Sequence, residues 1–486
     1  MRPKLRFLDD ELITRILTEA REVLGRLGCE IQNERARALL ADHGAQVDPA
    51  SRRVRFPGQL IDRALQAAPH SFKLYDVLGG ETHDLQGDNV YFTPGSCGIT
   101  VLDHATGRMR PPHTADYVRY AKLVSRLEHI PAQSTAFIAK DVPEPIQDSY
   151  RLYLSLLFCE KPVVTGAFTI PSFDVMKALQ VAVRGSDAEL KAKPLTIFSV
   201  CPTAPLKWSE VTSQNLIDCA RAGIPVEYIS MPLAGFIGPV TLVGCLVQHA
   251  AETLSGLVMS QLAQPGCPVL YGGSPAAFDI RFETTPMGAA ETMMIDCAYN
   301  EIGKHLGLPT QAYISLSDAK QLDAQAGLES SMGATLAVLS GINSVSGPGM
   351  LDFESCVSLE KLVLDNDIVG MTQRIGRGIT PREDFPAVPR FEEMLAEGHL
   401  LISKHTRKYL KAEHYFPGPV IERANRARWE AEGRSTLGQR AHAEVERLIG
   451  EHEPPRLAAS VTAAIEEVMV HEARRHGLEH LPAREP

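Results

Sequence analysis

The sequence predicts an α/β protein built on a (β/α)8 (TIM) barrel, with an N-terminal helical and β-hairpin cap and a C-terminal helical extension. Three observations predict it. Eight short β-prone segments alternate with stretches of helical length and period: 131–138, 162–169, 195–201, 225–231, 268–274, 309–315, 342–347 and 399–405. Their starts lie 30 to 57 residues apart, close to one βα unit each. The rival open, doubly wound sheet would carry a Gly-rich phosphate or dinucleotide loop after its first strand, and the sequence has no GxGxxG and no GxxxxGK[ST].

The elements follow in order. Leu12, Ile16, Ala20, Leu24 and Leu27 recur at helical spacing and stop at Gly28, and a second helix runs through Ala36 to Leu40. Val47 to Pro57 reads as a short strand or hairpin, and Gln59 to Ala68 as a helix. Val90-Tyr91-Phe92 and Ile99 to Leu102 bracket a turn-rich TPGSCG, and residues 1–112 are therefore assigned to the cap. The barrel takes 113–416, with helices such as Leu242 to Leu257 and Ala289 to Leu306 between its strands. Beyond 417 the chain turns Arg-, Glu- and Ala-rich, and 417–486 is read as an extension of cap or subunit-interface helices.

Composition sets the function class. With 49 basic against 59 acidic residues the formal charge is -10, which lacks the basic footprint of a nucleic-acid or anionic-membrane binder. MRPKLRFLDDELITRIL has no apolar core segment, so no signal or transit sequence is expected and the chain is expected in the cytoplasm. The longest uncharged run, Thr253 to Phe278, is broken by three prolines and four glycines, which argues against a membrane span. Nine scattered cysteines with no CxxC spacing suggest reduced core thiols, Cys97 and Cys201 being the weak nucleophile candidates. A homo-oligomer is expected, a symmetric dimer being the default.

In such a barrel the chemistry sits at the carboxyl ends of the strands. Aromatics recur there, Phe137, Phe168, Tyr228, Tyr271, Phe278, Tyr313 and Phe353, and rings of this kind hold a quaternary ammonium group through their quadrupoles at about 0.5–2 kcal/mol per contact. Each also has a core-filling reading. The loops add Asp318, Lys320, Arg281, Glu354 and His405. Lys320 is a Schiff-base candidate, but Asp318 and Asp323 beside it favour a charged ammonium. No HExxH or CxxC motif is present, and no metal is expected.

The blocks SLSDAKQLDAQAGLESSMGA (315–334), VSGPGMLDFESCVSLEKLVLDND (345–367) and HLLISKHTRKYLKAEHYFPGPVIERANRARWEAEG (399–433) resemble the trimethylamine methyltransferase family, as do 27–48 and 53–69 near the start. The resemblance implies a (β/α)8 fold and transfer of a methyl group from a methylated amine to the Co(I) of a separate corrinoid protein. With only standard residues, the chain is more similar to the branch without pyrrolysine, whose members demethylate quaternary amines such as glycine betaine. The SDAK region, 317–320, is a candidate for the position that pyrrolysine occupies in the other branch. No tightly bound cofactor is implied, the acceptor being the cob(I)alamin or corrinoid of the partner.

On this reading no residue is assigned a covalent or acid–base role, and catalysis is positioning. An aromatic cage without a strong counterion holds the ammonium, while Lys320, Arg281 or His405 binds any substrate carboxylate. Gly272, Gly273, Gly347 and Gly349 form a rim that lets the corrin approach. Two other readings compete: an aldolase-like lyase using Lys320, and a non-catalytic betaine-binding protein.

Overall fold

The computed structural model describes residues 2–484, and eight parallel strands run through its centre. They are β1 (Tyr91–Thr93), β2 (Gln133–Ser134), β3 (Val163–Thr165), β4 (Thr196–Val200), β5 (Val226–Tyr228), β6 (Val269–Leu270), β7 (Gln311–Tyr313) and β8 (Ser344–Ser346). Principal helices alternate with them: α1 (Thr114–Arg126), α2 (Gln147–Phe158), α3 (Ile170–Arg184), α4 (Glu210–Ala222), α5 (Leu242–Ala263), α6 (Ala290–His305), α7 (Ala324–Ser340) and α8 (Leu359–Gly376). Strands β2 to β6 form one parallel sheet in chain order, and β7, β8 and β1 form another. Single parallel bridges join their edges, Tyr271 to Thr310 between β6 and β7, and Gly98 to Phe137 just beyond β1 and β2.

Seven of the eight expected strand segments contain these strands, and the eighth does not. Residues 399–405 make no strand: a helix, Lys404–Glu413, starts there with the Ser403 side chain accepting from the Thr406 N–H. The apolar run at 400–402 has no sheet to join, and Leu401 and Ile402 stand 75% and 67% exposed. The missing place is taken by Tyr91–Thr93, which sequence pattern assigned to the cap. A three-residue β-segment beside a turn reads equally as half of a hairpin or as a parallel strand, because only the distant partner, here β8, tells them apart.

Local chemistry explains the helices. Thr169, Ser209, Thr241, Asp323 and Ser358 cap the amino ends of α3, α4, α5, α7 and α8 through their side-chain oxygens. Gly185, Gly223 and Gly341 end α3, α4 and α7 in the left-handed conformation. By length and composition α5 is apolar enough to cross a membrane, but it is packed inside the chain against the helices Asp10–Arg26 and Gly58–Ala67. The helices Leu437–Gly450 and Ala459–Arg475 bury Val445, Leu448, Ile465 and Met469 against the chain itself, packing on α8 and α3.

Strand register creates the site. Ser199 pairs with Glu227 and Val200 with Tyr228, so neighbours along each strand face opposite ways. On one face Phe198, Val200 and Tyr228 join the main core under the helices. On the other, Val164, Ile197 and Leu270 meet Phe72, Leu74 and Leu85 of the antiparallel hairpin Phe72–Tyr75/Glu81–Leu85 in a separate apolar cluster. Two residues further along β4, and one strand over, that same face presents Ser199 and Glu227. The inner face is thus apolar and stoppered by a hairpin at the amino ends of the strands, and polar towards their carboxyl ends.

Close backbone approach fixes Gly347. A Cβ there would lie 2.2 Å from the Ile314 carbonyl oxygen, a backbone atom that cannot swing aside. Gly347→Ala is expected to cost about 2–4 kcal/mol in chemical denaturation. Gly438→Ala, with nothing within 4 Å of the added carbon, is expected to be neutral or stabilising.

Candidate active site

Two carboxyl groups, one fully buried and one half-buried, define the polar end. Glu227, in the middle of β5, is fully buried and accepts a hydrogen bond from Ser199 Oγ at 2.7 Å, while its Oε2 has no partner. Burial pushes its pKa up to about 7. Glu354 comes from the turn of the hairpin Met350–Leu351/Cys356–Val357 that follows β8. Asp352, Phe353 and Glu354 all have positive φ, at 51°, 56° and 71°, a run that costs on the order of 1 kcal/mol per residue and persists only where the surroundings hold it. Pairing of Cys356 with Thr100 and a Ser355 hydrogen bond to Asp352 supply that hold. Burial and the nearby Glu227 raise the Glu354 carboxyl well above the ordinary range, and its Oε1 is unpartnered.

A third acid, Asp296 on α6, is buried with both oxygens unpartnered, and burial together with Glu354 raises it too. Among the described residues no Lys, Arg or His makes an ion pair with any of the three. Tyr313 on β7 joins the cluster, its hydroxyl 3.2 Å from Ser96 Oγ, with burial, Glu227 and Glu354 all raising its pKa. Cys97 and Cys201 touch solvent, yet desolvation raises both thiols, Cys201 to about 12. Arg151, buried, acts on Cys97, but it is ion-paired to Asp148 at 2.9 Å and its guanidinium lies 5.1 Å from the Phe168 ring.

The other sequence-nominated residues scatter. Phe137 packs edge-on against Tyr117 and Tyr120 of α1, Tyr228 bonds Ser260 of α5, and Tyr271 lies against His249 of α5, so these three rings face the surrounding helices. Phe168 is half-exposed, and Phe278 stacks on Phe236 at 4.8 Å, both in loops after the strands. Asp318 is occupied by the Met287 and Gly288 N–H groups at 2.9 Å, and burial raises it to about 6.

Lys320 is ion-paired to Asp352 at 3.2 Å, lies 3.6 Å from the Phe353 ring centre and is about half-exposed. A solvated, paired ammonium lacks the desolvation that makes a Schiff-base nucleophile. Lys320→Ala is expected to change turnover less than tenfold, and borohydride with carbonyl compounds to leave no adduct, read by intact mass. Arg281 is an exposed partner of Asp279, and His405 sits on the helix Lys404–Glu413 against Tyr409, away from the strands. Gly272, Gly273 and Gly349 would set a Cβ against Gln311, His249 and Leu362, so packing accounts for them as it does for Gly347.

The family model for trimethylamine methyltransferase (MTTB) matches residues 1–477. The chain belongs to the trimethylamine methyltransferase family. It is 31% identical over 470 residues to trimethylamine methyltransferase MttB of Methanosarcina thermophila, covering 94% of this chain and 95% of that one. It is 29% identical over 480 residues to the glycine betaine methyltransferase of Desulfitobacterium hafniense, covering 98% and 99%. The crystal structure of the Methanosarcina barkeri monomethylamine methyltransferase is similar in fold, with a TM-score of 0.51 at 11% identity over 92% of this chain and 89% of that one.

Of the residues that the structure brings together around the acids, the sequence reading names Glu354 and Tyr313 and does not name Glu227, Asp296 or the buried pair Arg151–Asp148. A signal for Glu227 was present: it is the one charged residue inside the β-run PVEYISM, and a lone acid in a buried strand carries a large desolvation cost unless it has a task. Choosing the neighbouring Tyr228 selected the opposite face of the strand.

Proposed function

We propose that this chain is a methyltransferase that moves a methyl group from a small quaternary amine of the betaine type to the Co(I) of a cognate corrinoid protein. One observation carries the reading: buried Glu227 and half-buried Glu354, whose Oε1 is shut off from solvent, make no ion pair among the described residues, the nearby Arg151 being paired to Asp148, so the two acids lack a countercharge that an onium substrate supplies. This differs from the aromatic cage without a counterion that the sequence suggested. Carboxyl groups whose ionisation is already disfavoured avoid over-stabilising the ground state, which was the objection to a counterion.

The reaction balances without further reagents. The cobalt electron pair forms the Co–C bond, the C–N pair stays on nitrogen, and a neutral tertiary amine leaves. As the substrate's charge disappears, a carboxylate regains its preference for a proton and loses its hold on the product. Arg151, near Cys97 and already paired to Asp148, keeps an unpartnered Nε as its one donor left for a substrate carboxylate.

The two parallel sheets and their bridging residues support a closed (β/α)8 barrel whose first strand is β1. The cap is then about 1–90, the barrel 91–377 and the extension 378–484, in place of 1–112, 113–416 and 417–486. Loops at the carboxyl ends of the strands expose Phe168, Phe236, Val240, Ile280 and Phe282, an apolar rim suited to covering by the corrinoid protein. The deciding experiment follows methylation of cob(I)alamin by its absorbance with glycine betaine, proline betaine, carnitine and trimethylamine. Turnover of a quaternary amine supports the reading. Tight binding without turnover, even with the corrinoid protein supplied, overturns it in favour of a binding protein.

A further inference from the structure

We propose that His104, Glu360 and His442 bind one divalent transition-metal ion of the zinc class, at a site separate from the carboxyl cluster. His104 follows the strand Thr100–Asp103 in a hairpin turn, Glu360 opens α8, and His442 lies on the helix Leu437–Gly450. Glu360 Oε1 is 2.9 Å from His442 Nδ1 and 3.7 Å from His104 Nδ1, and one ligand atom from each residue lies within 4.8 Å of the other two.

Two imidazoles and a carboxylate are a donor set zinc takes with water in its fourth position. Bonds of 2.0–2.2 Å to a tetrahedral ion leave ligand atoms about 3.3–3.6 Å apart, so the observed spread closes with movements of about 1 Å. The two rings are stacked at 3.8 Å and 6°, and rotation about their Cβ–Cγ bonds turns nitrogen lone pairs to a common point.

Burial supplies an independent argument. The Glu360 side chain is 8% exposed, and among the described residues the only basic groups within 4.0 Å of its carboxylate are these two histidines, each more than one-third exposed. A buried carboxylate without a fixed cation, roofed by two solvent-facing imidazoles, is a site that an ion reaches from solvent and completes. None of the three lies on a parallel strand. A bound ion would clip the hairpin, α8 and the C-terminal helix together, a structural role.

The test uses the full-length protein, stripped with chelator and titrated with zinc by calorimetry. The expected result is one equivalent bound, a raised Tm, and at least tenfold weaker binding in His104→Ala and in His442→Ala. Glu360→Gln, closer in shape, is expected to do the same if an alanine variant folds poorly. Cys97→Ser/Cys201→Ser is the control and is expected to keep the wild-type zinc affinity. The proposal is overturned if zinc leaves Tm unchanged, if the histidine variants bind as the wild type does, or if the cysteine variant is the one that loses the ion.

Discussion

Glu227→Gln is expected to lower kcat/KM for the quaternary-amine substrate at least 100-fold, about 3 kcal/mol, while leaving the fold intact. The loss follows from removing a charge that only the substrate neutralises, in a site too dry for water to substitute. The pH dependence separates this from a structural lesion. With its pKa raised to about 7, Glu227 must lose its proton to hold a cation, so wild-type kcat/KM should rise with pH through about 7 and level off above. The midpoint belongs to the coupled acids together, Glu354 included. The Gln variant should lack that rise.

Stability moves the other way. A carboxyl whose folded-state pKa lies above its ordinary 4.5 binds its proton more tightly folded than unfolded. Its contribution is therefore full below the unfolded pKa and is lost as pH climbs through 7. The substrate-free Gln variant should accordingly be more stable than wild type at pH 8, by on the order of 1–3 kcal/mol, and equal to it near pH 4. Melting curves at the two pH values check this. A Gln variant as active as wild type, or less stable at both pH values, removes Glu227 from the mechanism.

The second large effect is expected at the rim. Ile280 and Phe282 stand 75% and 72% exposed in the loop after β6, beside the stacked pair Phe236 and Phe278. Large apolar side chains in solvent on one rim mark a surface that another macromolecule covers, and central anchors there are worth about 2–3 kcal/mol each. Phe282→Glu should cut turnover with the corrinoid protein about 30- to 100-fold, while turnover with free cob(I)alamin changes less than threefold. Equal losses with both acceptors would assign the loop to substrate handling, and no loss with either would remove it from docking.

How much of this was legible in the sequence depended on whether the signal was local. Helices α5 and α6 were readable because their helical period lies within one segment, and seven strand segments because each is a β-prone stretch between turns. The first strand was not, since Tyr91–Thr93 becomes a parallel strand only through Ser344–Ser346, some 250 residues away. The run at 399–405 misled for the converse reason: its apolar residues satisfy strand propensity yet remain in solvent.

At the site, parity decided the outcome. Tyr228 and Tyr271 are prominent aromatics near strand ends, but register turns both towards α5, while Glu227 one position earlier faces inward. Glu354 was legible as a loop acid, although the three consecutive left-handed residues that aim it were not. His104, Glu360 and His442 share no motif, because spacing along the chain says nothing of three segments that meet only after folding.

The hairpin Phe72–Tyr75/Glu81–Leu85 packs Phe72, Leu74 and Leu85 on the amino-terminal side of the strands, so in the proposed barrel the acids would be approached from the opposite end alone. On the proposed function, donor and acceptor would then have to use that end in turn: the amine would enter first, the cobalt carrier would shut it in, and the demethylated remnant would stay imprisoned until the carrier departs. Excess carrier arriving early should therefore slow the cycle, a kinetic signature of compulsory-order traffic.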